Sequence, residues 1–135
     1  MARWILGFSL TLAVLVPIAV AQGPRSPVAI QWTTFVGGGD RDPRTAVVGD
    51  EPGRIDMGDS PWRCGYARVR EAQVSARDWS AQRVLACQRG EGTVSSTATC
   101  RVRGGVVEER AATLSLGTVG RPDYVTVTLG CRARP

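Results

Sequence analysis

Apolar and polar residues alternate with a period of two through much of the second half of the chain. This is the pattern of a strand with one buried and one wet face. Residues 124–132 are the clearest case, with Val125, Val127, Leu129 and Cys131 on one side and Thr126 and Thr128 on the other. Residues 111–116 set Leu114 and Leu116 against Thr113 and Ser115. Residues 93–103 set Val94, Ala98, Cys100 and Val102 against Ser95, Thr97, Thr99, Arg101 and Arg103. Residues 82–88 precede them across Gly90-Glu91-Gly92, a compact hairpin signal. In the first half, residues 28–36, 45–48, 54–57 and 62–69 read as strands, separated by loops rich in Gly, Pro and Asp. Trp32, Phe35, Trp62 and Tyr66 fit core positions beside apolar neighbours. Residues 70–80 show no convincing apolar face and read as a loop, with Trp79 standing on it. Short strands at this turn spacing predict an all-β protein, a small antiparallel β-sandwich formed by residues 28–135 as one domain.

The segment before it is different in kind. Arg3 precedes a mostly apolar run over residues 5–20, and Ala19-Val20-Ala21 supplies a small-x-small cleavage pattern. Residues 1–21 therefore read as a secretory signal peptide and 22–27 as an extended, proline-containing leader. The apolar run is shorter than the roughly 20 residues a spanning helix needs, so no stable membrane span is expected after cleavage. The expected location is secreted or periplasmic.

Export changes the meaning of the cysteines. Cys64, Cys87, Cys100 and Cys131 are an even set in an oxidising compartment, which predicts two disulfides. Their spacing has no C-x-x-C knuckle, and there is no His to complete a zinc site. With Glu91-Gly92 as a two-residue turn, Leu85 faces Ala98 and Cys87 faces Ser96. Cys87 and Cys100 are then four ladder positions apart, at about 3.4 Å each, too far for a bridge whose Cα atoms lie about 4.4 to 6.8 Å apart. That removes Cys87–Cys100 with its complement and leaves two connectivities, of which Cys64–Cys87 with Cys100–Cys131 is favoured. The order Cys64, Trp79, Cys131 is also similar to an immunoglobulin-type domain, in which a Trp packs on an inter-sheet bridge. That resemblance implies a Cys64–Cys131 pairing, although Leu129 stands where the family places a tyrosine.

Composition excludes much chemistry. The net charge is +5 and His is absent; every base is Arg, and neither Lys nor Asn occurs. There is no Ser–His or Cys–His pair, no imidazole ligand and no Schiff-base lysine. No catalytic residue, cofactor or metal is expected. Asp40 with Asp42, and Asp50 with Glu51, sit in Gly-rich loops of the kind that contribute to calcium sites, but neither reproduces an EF-hand loop.

Charge is also uneven. Residues 22–60 hold four Arg against six acids, and residues 61–135 hold twelve Arg against six. Candidate binding residues are Arg101 and Arg103 on one strand, Arg132 and Arg134 near the end of another, and Trp79 as a sugar platform or partner anchor. A hydroxyl face of Ser95, Thr97, Thr99, Thr113, Ser115, Thr126 and Thr128 accompanies them. The function expected is binding without catalysis. The partner would be an anionic polysaccharide, another envelope component or an acidic protein. Nucleic acid is not expected, because aromatics are not interleaved with the Arg. The alternative is a secreted hydrolase inhibitor presenting Arg77 or Arg89 on a loop. A structural envelope component assembling through a strand edge is a third reading.

Overall fold

The alternating segments become nine strands: β1 (Ile30–Gly37), β2 (Arg44–Val48), β3 (Gly53–Ile55), β4 (Arg63–Ser75), β5 (Asp78–Arg89), β6 (Gly92–Arg103), β7 (Val106–Arg110), β8 (Ala112–Leu116) and β9 (Val125–Ala133). The computed structural model describes residues 29–49, 51–75 and 77–135; the signal and leader expected over 1–27 lie outside them. All pairings among these strands are antiparallel. They form a four-stranded sheet, β2-β1-β9-β8, and a five-stranded sheet, β3-β4-β5-β6-β7, packed as a sandwich.

The core is what strand parity dictates. Leu85, Cys87, Ala98, Cys100 and Val102 from one sheet meet Val125, Val127, Leu129 and Trp32 from the other, each 4% exposed or less. Each large apolar side chain buried here contributes about 1.5 to 3 kcal/mol before entropy is charged against it. Phe35 is different. It has the opposite parity to Trp32 within β1, so it faces outward at 38% exposure and does not join the core.

Both disulfides follow the favoured connectivity. Cys64–Cys87 joins directly opposed residues of β4 and β5, and Cys100–Cys131 ties one sheet to the other. Two such bridges are compatible with an oxidising extracytoplasmic setting. The Cys64–Cys131 bridge implied by the immunoglobulin resemblance does not form. A tryptophan does accompany the inter-sheet bridge, but it is Trp32, directly opposite Cys131 in the β1–β9 ladder.

Three features depart from expectation. The β5–β6 turn is Gly90-Glu91, since Arg89 pairs with Gly92, and Gly90 has a positive φ of 59°. Leu85 therefore faces Ser96 and Cys87 faces Val94, a slip of two that keeps every side chain on its expected face. Residues 70–80 are not a loop. They carry the long β4–β5 hairpin, with register shifts between Arg68 and Arg70 and between Gln73 and Ser75. Each bulge flips the parity, which hides the period of two from the sequence. Finally, β7 was not announced by its sequence, Val106-Val107-Glu108-Glu109-Arg110.

Strands β7 and β8 are separated by Ala111 alone, where the chain passes from one sheet to the other. Glu109 secures this crossing. Beyond Leu129, β9 has no β8 residue beside it, and the Cys131 backbone N–H donates instead to Glu109 Oε2 at 2.6 Å. Gly130 leaves room for that carboxylate: a Cβ there would collide with Glu109 Oε2.

Candidate functional site

Register decides which arginines share a surface. In the five-stranded sheet the buried partners of β5 are Ala81, Arg83, Leu85 and Cys87, so Ser80, Gln82, Val84, Ala86 and Gln88 face out. Reading across the ladders, Arg70, Gln82, Thr99 and Arg110 stand side by side on four consecutive strands. The Gln82 amide donates to Thr99 Oγ1 at 3.4 Å within that row. The neighbouring row is Ala72, Ser80, Arg101 and Glu108, and Arg103 follows opposite Val106. In the other direction the outer face continues through Ala67, Val84 and Thr97, then Arg54, Gly65, Ala86 and Ser95, and ends at Arg63, Gln88 and Thr93.

This outer face therefore carries Arg54, Arg63, Arg70, Arg101, Arg103 and Arg110, all exposed, against two carboxylates, Glu108 and, at the end of β5, Asp78, which accepts from the Gly104 N–H. Among the described residues none of the six makes an ion pair. The arginines that do, Arg41, Arg44, Arg68, Arg83 and Arg89, lie elsewhere. Of the six, the sequence had singled out Arg101 and Arg103. The other four were missed because only the pairing of β3, β4 and β7 brings them to the same surface.

The remaining candidates are dispersed. Arg132 is on the outer face of the four-stranded sheet, on the far side of the sandwich, where its Nε donates to Gln31 Oε1 at 3.1 Å. Arg134 lies past the end of β9, its backbone N–H bonded to the Ala29 carbonyl. The hydroxyl residues divide likewise. Ser95, Thr97 and Thr99 accompany the arginine face, while Thr113, Ser115, Thr126 and Thr128 face out from the other sheet. Trp79 belongs to β5 and not to a loop. Its side chain is on the inner face beside Val102, half-buried and packed against the core.

Burial singles out Arg83, which the sequence did not. Its side chain is 4% exposed; its guanidinium lies 5.0 Å from the Trp32 ring centroid, and Nη2 is 3.1 Å from Glu71 Oε1. The ring face and the carboxylate compensate a charge that burial would otherwise penalise. The contact also locks β1 of one sheet over β5 of the other, behind the arginine face.

The loop arginines are engaged. Arg77 Nη2 donates to the Gly104 carbonyl at 2.9 Å, and Arg89 pairs with Asp123 at 3.3 Å. Asp40 and Asp42 line a cleft of about 510 Å³ in which Asp59 pairs with Arg41 and Asp56 with Arg44. Asp50 lies outside the described residues. Among the described residues no group of three or more His, Cys, Asp or Glu side chains could hold a metal ion. No helix among them is long and apolar enough to cross a membrane. No family model matches the chain, and no curated protein or solved structure shows significant similarity to it.

Proposed function

We propose that this protein is an extracytoplasmic, non-catalytic module that binds anionic glycans through the outer face of its five-stranded sheet. The observation that carries this reading is the concentration of six exposed arginines against two carboxylates, Asp78 and Glu108, on a single sheet surface. Guanidinium groups take sulfate, phosphate and carboxylate oxygens in fork geometry and are weakly hydrated, which lowers the cost of stripping water from them. Between them lie Gln82, Ser95, Thr97 and Thr99, short polar side chains that match the hydroxyls of a sugar chain. The outward strand positions of the face carry no aromatic ring on which a base would stack; Trp62, at one end, is packed against the core and is no exposed anchor of the kind that dominates protein interfaces. The signal-like N-terminus and the two disulfides support export.

An inhibitory loop needs an arginine free to enter a specificity pocket, and the contacts of Arg77 and Arg89 tie both side chains to their own fold. Assembly through a strand edge is opposed by the bulges in β4. They blunt the stretch of that strand which β3 leaves uncovered.

Retention of the exported protein on immobilised dextran sulfate tests the proposal. It should bind at low salt and elute as ionic strength approaches about 1 M, where the screening length falls to roughly 3 Å. Affinity at fixed ionic strength should change less than about twofold between pH 5 and 8, because the chain has no His and Arg stays charged. Failure to bind sulfated, phosphorylated and carboxylated polymers alike would overturn it.

A further inference from the structure

The six arginines are not spread evenly over the sheet. Arg70, Arg101, Arg103 and Arg110 crowd the end nearest the β4–β5 and β6–β7 turns, and Arg54 and Arg63 stand at the opposite end. Between them is a neutral floor of Ala67, Val84, Ala86, Ser95 and Thr97. The row holding Arg70 crosses β5 at Gln82, and the row holding Arg63 crosses it at Gln88. At about 3.4 Å per residue the two ends are roughly 20 Å apart.

The far end is also shaped. An open groove of about 950 Å³ runs there, with Arg54, Trp62, Arg63, Ala86 and Gln88 in its lining; the one acid in that lining, Asp56, is paired with Arg44. Trp62 borders the groove with its ring packed against the core.

We infer that the two cationic ends act together as one two-point site for a linear, unbranched polyanionic glycan, long enough to lie across the floor and engage both. This rests on the anionic-glycan reading above and adds a length requirement to it. A short fragment engages one end. A chain that spans both converts the second contact into an intramolecular one, and the gain is lost if it cannot reach. The smooth floor matters because bulky side chains between the ends would lift the chain away from one of them. Gly65 contributes: a Cβ there would lie 2.7 Å from the Gly53 carbonyl oxygen, so no side chain can stand at that point of the floor.

The test is titration of the folded, disulfide-bonded protein with size-fractionated heparin oligosaccharides, from the disaccharide upward. Affinity should step up by at least about tenfold once fragments exceed roughly 20 Å, and then level off. In R54E/R63E the step should vanish, so that long fragments bind no more tightly than short ones in the same variant. Arg54→Gln with Arg63→Gln repeats the comparison without charge reversal, and circular dichroism verifies the fold of each variant. Affinity that grows smoothly with fragment length, or a step that survives R54E/R63E, overturns the two-point site and leaves the glycan reading standing. Absence of binding at every length overturns the glycan reading itself.

Discussion

The two outer faces of the sandwich are built by the same rule and end up chemically unlike. On the five-stranded sheet the outward positions carry six arginines against two carboxylates, Asp78 and Glu108. On the four-stranded sheet they are Gln31, Thr33, Phe35, Thr45, Val47, Thr113, Ser115, Thr126, Thr128 and Arg132, with no carboxylate among them. There the hydroxyls bond to their own sheet: Thr113 and Thr128 are 3.1 Å apart across the ladder, and Thr126 Oγ1 donates to the Gly37 carbonyl. Alternation alone requires only that outward residues tolerate water. A strip of threonine meets that requirement with good strand propensity. Six like charges on one sheet exceed it and add mutual repulsion, so the arginine face is the surface that calls for a partner.

The largest expected effect is on the link that keeps the faces back to back. Replacing Cys100 and Cys131 by Ala removes the one bridge between the sheets and should cost about 3 to 4 kcal/mol on the chain-entropy view. This would be read as a fall in the urea midpoint under non-reducing conditions. Removing Cys64–Cys87, which closes a shorter loop within one sheet, should cost slightly less. The reverse order would mean that the sheets are held together mainly by side-chain packing.

At the seam where the chain crosses between the sheets, Gly130→Ala should cost about 1 kcal/mol, the worth of the hydrogen bond it breaks. The new methyl collides with the Glu109 carboxylate and displaces it from the Cys131 N–H. Thermal melting measures the loss. In a Glu109→Ala background the penalty should largely vanish, because no carboxylate is left to displace.

Charge reversal then compares the faces directly. Arg101→Glu with Arg103→Glu should weaken dextran sulfate binding by about tenfold or more, the size expected when an exposed cationic cluster loses and inverts two charges. Arg132→Glu, on the opposite face, should change it less than about twofold. Equal effects from both faces would reduce the binding to net charge.

How much of this was legible depends on how local each signal is. The last strand could be read because Val125, Val127, Leu129 and Cys131 keep a strict period. The β4–β5 hairpin could not, because Val69 and Val74 fall at bulges and break the period where it was needed. Trp79 was misplaced for the same reason. The slip at Gly90-Glu91 was harmless, since a shift of two preserves the facing of every residue while changing its neighbours.

By itself, then, the sequence determined the all-β class, the inward direction of Cys87, Cys100 and Cys131, and the absence of imidazole and amine chemistry. These follow from side-chain alternation and composition, which act within a few residues. Only the tertiary structure decided which arginines became neighbours. Arg70 and Arg110 are forty residues apart in the chain and share a row because β4, β5, β6 and β7 pair in one register. It also decided that Arg132 would face the other way. Strand order and register are set by the summed packing of the core and by two bridges across it, and no single segment carries that sum.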